Sequence, residues 1–455
     1  MTDLKPNKDR TNITPGKVFS DGSIIEQCWD GSKVYYYYFD PNGNIKDEDQ
    51  HVGDNGFTYA PISEDIDILE KKILLLPTYP ANYESETKLL RDVQRFIHQW
   101  CEIDLDTERL LAGYVMLTWI KDKCPTMPII NARGRSGTGK SRLLEALRQI
   151  CYRGMRASGC LSLSSMFRTE GRWKGTLCIN EGDLKNSSET SDIVKYLNER
   201  YEKGGNVWRT NPENLKSEYF DAFGPTIVTT RYQYKDDALE SRCFTILMKE
   251  RTRRDIYLNL PEEFRDAGAS LRNQLLSFRF RRLGGFTNDY TLEFDGLSPR
   301  MNQILQPLAS LAKEVDADLY QELVELALHL QDRMIEAMAE TPEGQIFSAF
   351  LDLEESGEDS KIAFTPKEIS ERIALNGGDL PPTSVGIRMI PLGFELRRTG
   401  RKRLYSLPDD AREGLKRRFI PREHRVGDTF DKCDTARGGG YQKSLDISVP
   451  PERGD

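Results

Sequence analysis

The sequence predicts an α/β fold: a parallel sheet with helices on both faces, led by a small β-rich region and followed by helices and a small helix-and-ribbon module. Three observations carry this. An apolar strand, Ile129 to Ala132, runs into the glycine-rich stretch GRSGTGKS at 134–141, and a helix with Leu143, Leu144, Ala146, Leu147 and Ile150 on one face follows. A second apolar strand, Thr176 to Ile179, ends in Asn180-Glu181-Gly182-Asp183. A third, Pro225 to Arg231, ends in Thr229-Thr230-Arg231 and is followed by a fourth, Cys243 to Met248. Short apolar runs alternating with helical patterns read as βα units in a parallel sheet.

Composition narrows the class. The chain has 455 residues, 64 Lys+Arg and 72 Asp+Glu, for a formal net charge of −8. That excludes a surface coated in positive charge, but not nucleic-acid binding, because charge segregates between domains. Eight cysteines without a CxxC pair and only four histidines argue against a zinc constellation or a disulfide framework. Cys151 and Cys178 sit in apolar runs and read as small buried hydrophobes of a reducing compartment. The polar start MTDLKPNKDR has no signal-peptide core, and the apolar stretch Leu110 to Ile120 is too short to span a bilayer. A soluble, cytoplasmic protein with no membrane partner is expected.

The elements follow in order. Residues 1–80 read as a flexible lead-in and a small β unit, with strands Ser23 to Trp29 and Lys33 to Asp40 joined by the turn Asp30-Gly31. The run Tyr35-Tyr36-Tyr37-Tyr38 fits half-buried sheet tyrosines or a platform for stacked bases. Residues 81–125 read as a helical collar. Helix 85–104 brings Leu89, Val93, Phe96 and Trp100 to one face, and helix 107–121 brings Leu110, Leu111, Tyr114 and Trp119. Residues 126–290 carry the sheet, 291–340 are helical, 341–425 end in a β-ribbon, and 426–455, with three consecutive glycines, are expected to be disordered.

The chemistry starts at 134–141. Its glycines let backbone N–H groups turn inward around phosphates, and the helix N-terminus favours negative charge. Gly134, Ser136, Gly137, Thr138 and Gly139 are the candidate cradle for ATP. Lys140 is the candidate partner of its β- and γ-phosphates, and Ser141 a candidate ligand for Mg²⁺. Asn180 stands where a metal-supporting acid is expected; it can accept from a metal-bound water but brings no charge. Glu181 is the candidate group at the metal and the attacking water, with Asp183 close enough to compensate. Thr229 or Thr230 is the candidate sensor of that water, Thr230 being the one assigned. Arg242 ends a short helix before the last strand, either as an exposed helix-end arginine or as a group for a neighbouring subunit's γ-phosphate. Ser298-Pro299-Arg300 opens a helix with Ser as N-cap and Pro at the first position. Arg300 is either a plain exposed arginine or a second nucleotide sensor.

The stretch Pro128 to Leu330 resembles the AAA+ ATPase core, in particular the helicase branch of MCM proteins, superfamily-3 viral helicases and helicase-like ATPases of phages and plasmids. GRSGTGKS at 134–141, TLCINEGD at 176–183, PTIVTTR at 225–231 and ALESRCFTI at 238–246 carry the resemblance. The MCM pattern at the second motif is Asp-Glu-x-Asp, so Asn180 departs from it while Glu181 and Asp183 match. The resemblance implies a homo-oligomeric ring, ATP at subunit interfaces, Arg242 acting across them, and a helical lid over 291–340. It also implies a β-hairpin that grips DNA. Asn206 to Thr210, a turn at 211–214 and Leu215 to Phe220 are the candidate, with Arg209 and Lys216 for phosphates and Trp208 for a base. An ordinary surface hairpin is the alternative.

Residues 341–425 resemble a winged helix, three helices and a β-ribbon, whose usual partner is DNA. Thr365 and Glu368 form a capping box, and Pro391 cuts the third helix short. The segment 397–425 carries eleven Lys/Arg against four acids, with Arg401 and Lys402 at the wing tip. A protein-docking or lid module is the alternative. The expected function is an ATP-dependent, helicase-like DNA motor in phage or plasmid replication, working with replication proteins. A helicase loader or initiator and an ATP-gated DNA-binding regulator with little turnover stay open.

Overall fold

The structure, a computed structural model, describes residues 11–158, 163–180, 188–210, 217–234, 236–356, 362–399 and 402–421. The expected lead-in over 1–10 and the tail 426–455 lie outside the described residues. The chain forms two compact units, Met1–Gln331 and Asp332–Asp455, so the division falls inside the helix Ala317–Ala339. No helix among the described residues is long and apolar enough to cross a membrane.

A five-stranded parallel sheet centres the first unit. Its strands are β1 (Ile129–Arg133), β2 (Gly154–Ser158), β3 (Thr176–Asn180), β4 (Thr226–Thr230) and β5 (Cys243–Leu247), in spatial order β5-β1-β4-β3-β2. β4 lies between the strand that feeds the glycine loop and the strand that ends in Asn180. The register sets Thr226 and Cys243 opposite Ile129, so these strands begin at one edge and end at the other.

Alternation along the strands sorts the side chains. Ile129, Leu177, Ile179 and Val228 pack with Trp173, Tyr196 and Leu197 from helices Leu163–Trp173 and Ser188–Arg200. Ile130, Cys178, Ile227 and Phe244 point to the other face and are fully buried. The helix Lys140–Ile150 packs along β1 to β4 there.

Helices Glu86–Trp100 and Leu105–Trp119 follow their predicted spacing, capped by the side chains of Ser85 and Asp104. They pack on a 21-residue helix, Glu262–Arg282, that sequence periodicity did not reveal. Its arginines hide it. Arg272 is buried and donates to the Gln149 carbonyl at 2.5 Å. Arg279 is buried between Glu26 and Asp122, each at 2.6 Å.

The N-terminal region forms a four-stranded antiparallel sheet (Gly16–Val18, Ile24–Trp29, Val34–Phe39, Ile45–Glu48) and a three-stranded one. The tyrosine run serves this packing. Tyr36 is fully buried and donates to the Thr14 carbonyl at 2.5 Å, Tyr35 donates to Thr78, and Tyr38 stacks on His51 at 4.6 Å. Buried Glu26 anchors the region to the sheet unit by accepting from Tyr152, Arg153 and Arg279.

The second unit runs helix Pro342–Glu355, strand Ala363–Phe364, helices Pro366–Leu375 and Pro382–Met389, then strands Glu395–Thr399 and Lys402–Ser406. The three strands form one antiparallel sheet over a core that includes Phe347, Phe350, Phe364 and Phe394. The Thr365–Glu368 capping box is present in full. A further helix, Asp409–Phe419, follows the ribbon.

One fully buried cation fastens the sheet to its cover. Arg200 pairs with buried Glu170 at 2.7 Å and donates to Thr226 Oγ1 at 2.7 Å and to the carbonyls of Ala222 and Pro225. Glu170→Ala leaves this guanidinium without its charge partner and is expected to cost about 3–5 kcal/mol in urea unfolding. Arg200→Met combined with Glu170→Leu is expected to recover most of that loss.

Candidate functional site

The glycine loop has the backbone that its sequence requires. Gly137 and Gly139 have φ of +87° and +84°, a left-handed conformation that strains any side chain. At Gly134 a Cβ would come within 2.9 Å of the Met248 carbonyl oxygen, so β5 closes on the loop only because this residue is glycine. Lys140 Nζ donates to the carbonyls of Gly134 and Arg135 at 2.7 and 2.6 Å. Its ammonium therefore lies over the loop.

Three elements then converge on one atom. Ser141 Oγ, from the first turn of the helix, donates to Asn180 Oδ1 at 2.9 Å. Thr229 Oγ1, from β4, donates to the same oxygen at 3.1 Å. Alternation explains the meeting: Asn180 shares its face with Cys178, and Thr229 with Ile227, which is the face covered by the loop helix. Thr230, the residue assigned from sequence as the sensor, is turned the other way. It is buried and donates to Asn131 Oδ1 at 2.9 Å. Thr229 is the threonine at the site.

A cleft of about 240 Å³ opens here, lined by Ser136, Gly137, Lys140, Ser141, Thr229 and Arg231. Arg231 closes the segment PTIVTTR but was given no role from sequence; the signal available was a cation directly after the strand beside the loop strand. A depression of about 580 Å³ adjoins, lined in part by Gly134, Thr138, Arg231, Tyr232 and Met248. The glycine cradle suits phosphate oxygens, and the Ser141 hydroxyl and Asn180 amide oxygen are hard oxygen donors of the kind that suit Mg²⁺. Glu181 and Asp183 lie outside the described residues.

Arg242 and Arg300 stand elsewhere. Each guanidinium lies 5.3 Å from the centre of the Tyr201 ring. Arg242 donates to the Ala238 carbonyl at 2.5 Å, and Arg300, behind the Ser298 cap, donates to Gln303 Oε1 at 2.6 Å. Burial, and then the like charge of Arg300, pull Arg242 below the usual arginine range. The Arg242 carbonyl accepts from the Ile129 amide, which fixes it at the edge where β1 begins. The loop lies at the other edge, about 17 Å away for five residues of strand. That exceeds the length of an arginine side chain, so neither arginine reaches the loop of its own chain. Arg300, the candidate second sensor, thus stands with Arg242 at the edge away from its own loop.

The short helix before Arg242 is itself tethered to the loop strand. Glu240 pairs with Arg133, the residue before Gly134, at 3.0 Å and accepts from the Tyr234 amide. Burial raises the Glu240 carboxyl above its usual range, against the pull of Arg133.

The hairpin forms as expected between Asn206–Thr210 and Ser217–Asp221. Trp208 and Tyr219 face each other across it, 71% and 63% exposed, with ring centres 5.2 Å apart. Arg209 is a strand residue opposite Glu218, while Lys216 and Arg401 lie outside the described residues. On the C-terminal ribbon Arg397, Arg398, Lys402 and Arg403 are exposed. Arg412, from the same basic segment, is committed to Glu354 through bonds of 2.5 and 2.8 Å.

No family model matches the chain, and no curated protein matches its sequence. Among solved structures, the apo C-terminal region of NrS-1 is similar with a TM-score of 0.38 and 12% identity, over 84% of this chain and 97% of that one. The active helicase Cch of SCCmec type IV is similar with a TM-score of 0.38 and 10% identity, over 89% and 80%. The JCV helicase is similar with a TM-score of 0.25 and 16% identity, over 54% and 67%.

The two threonines make opposite predictions. Thr229→Val is expected to lower nucleotide turnover about tenfold or more, as loss of a positioned donor does. Thr230→Val is expected to cost about 1 kcal/mol of stability, since it unpairs buried Asn131, with turnover nearly kept. Steady-state hydrolysis and urea unfolding of both variants check this.

Proposed function

We propose that the protein is an ATP-hydrolysing, helicase-like DNA motor of the AAA+ kind, acting as a homo-oligomeric ring in phage or plasmid replication. The observation that carries the reading is the convergence of Ser141 and Thr229 on Asn180 beside a glycine loop, with an arginine pair out of reach at the opposite edge of the sheet. A site built this way is half a site. Gly134 to Gly139 wrap the phosphates and Lys140 neutralises them. Mg²⁺, held by Ser141 and Asn180, would supply charge neutralisation at the phosphate oxygens. Glu181 orients water, Thr229 fixes the amide that faces it, and Arg231 adds a cation from the same subunit. Arg242, with Arg300 beside it, serves the nucleotide of the neighbouring subunit. The adjoining depression with Tyr232 takes the nucleoside.

Trp208 and Tyr219 supply stacking faces for single-stranded DNA, and the ribbon with Lys402 supplies phosphate contacts in a winged helix. Trp208→Ala is expected to weaken single-stranded DNA binding about tenfold and to remove any stimulation of turnover by DNA, read by fluorescence anisotropy and hydrolysis.

The decisive experiment is hydrolysis by mixed subunits. Lys140→Ala and Arg242→Ala are each expected to lower turnover about a hundredfold or more. Mixed together they are expected to regain part of it, because some interfaces then pair an intact loop with an intact arginine. Failure to regain activity, with oligomers still formed, refutes action across the interface.

A second reading, a loader or ATP-gated regulator with little turnover, is favoured by one observation. Both lone pairs of Asn180 Oδ1 are taken by hydroxyls, and the residue carries no charge for a metal. Asn180→Asp separates the two: a large gain in turnover supports the regulator, and little change supports the motor.

A further inference from the structure

At the edge of the sheet opposite the glycine loop lies a second cavity, of about 270 Å³. Its walls come from segments far apart in sequence: Pro15 to Lys17, Lys121, Arg153, Lys174 and Arg279 all line it. We propose that this cavity is a second phosphate-binding site, built to take a terminal phosphoryl dianion away from the nucleotide loop.

The argument is one of charge. Two carboxylates, Glu26 and Asp122, answer two guanidiniums here. Arg153 pairs with Glu26 at 2.6 Å, and Arg279 bridges Glu26 and Asp122 at 2.6 Å each. Neither carboxylate pairs directly with Lys121. It is 5% exposed, lines the cavity, and makes no direct ion pair or hydrogen bond; Asp122 and Glu170 attract it only from beyond ion-pair distance, and the Phe223 ring lies 5.7 Å from Nζ. An ammonium buried without a direct ion pair is costly, and burial pulls its pKa below the usual lysine range against the attraction of Asp122 and Glu170. A bound anion removes that cost.

The surroundings match a phosphate. Lys17 and Lys174 stand exposed at the rim, Lys174 held only loosely by Asp221 at 3.5 Å. Arg172, also in the wall, is directed to Asp65 and Glu64 and is therefore already neutralised. The two lysines without an ion pair, Lys17 and Lys121, with Lys174 beside them, suit a dianion better than a single carboxylate. Gly16 makes the wall possible: a Cβ there would lie 2.5 Å from Arg153 Nη2. The backbone of the Pro15–Lys17 segment can close on the arginine only without a side chain.

The site is tested in the full chain carrying Lys140→Ala, so that the glycine loop does not dominate and no outcome depends on ATP turnover. Pyrophosphate is titrated and followed by calorimetry. Binding that weakens about tenfold or more in Lys121→Gln, and also in the exposed rim variant Lys17→Glu, supports the site. Unchanged affinity in both variants overturns it, and so does no heat of binding in the Lys140→Ala chain. If Lys121→Gln unfolds, Lys17→Glu decides alone. The source of the phosphate is read by competition. A 5′-phosphorylated oligonucleotide that displaces pyrophosphate far better than its 5′-hydroxyl counterpart identifies the end of a strand. No displacement by either identifies a small free phosphate as the occupant, and equal strong displacement by both, which needs no terminal phosphate, overturns the terminal-dianion assignment.

Discussion

A positive charge buried without water has to be met on every side, and Arg200 is where this protein meets that demand. Its guanidinium reaches the helix that carries Glu170, the exit of the hairpin at Ala222, and Pro225 and Thr226 at the start of β4. Those contacts set the level at which β4 enters the sheet. Three residues further on, Thr229 must fall opposite Asn180 for the two side chains to meet. The hairpin and the cleft beside the glycine loop, though at different ends of the strand, are thus positioned from one ion pair. Such a pair adds little net stability, because desolvation consumes most of its attraction. What it contributes is geometry, since any other arrangement strands a charge.

The sheet also separates functions by its length. The glycine loop stands where β1 ends, and the arginine pair stands where β1 begins. No motion of an arginine side chain closes that distance. In the proposed ring, completion by a second copy would follow from strand geometry, before any question of how many subunits assemble. The Arg133–Glu240 pair is the internal link between the two ends, joining the last residue before the loop to the helix that presents Arg242.

Much of this was legible in the sequence, for reasons that can be named. The glycine loop, the strands around it, the Ser298 cap and the Thr365 capping box depend on local chemistry, and local chemistry is written residue by residue. The helix Glu262–Arg282 was not legible. Its arginines at 265, 272, 279, 281 and 282 break the apolar pattern, yet Arg272 and Arg279 are core residues held by partners more than a hundred positions away. The choice between Thr229 and Thr230 was a matter of parity. Adjacent strand residues face opposite ways, and which face holds the loop helix depends on the register of the whole sheet. Arg300 was located on its helix correctly, but its neighbour Tyr201 belongs to a distant segment. The tyrosine run was ambiguous until the second strand layer and His51 closed over it.

The ring of Tyr201 has an evolutionary consequence. Arg242 and Arg300 come from segments nearly sixty positions apart, yet both rest against this one aromatic side chain. A change at position 201 therefore alters two cations in a single mutational step, and a change at either arginine alters the setting of the other. Selection acting on either arginine acts on the trio.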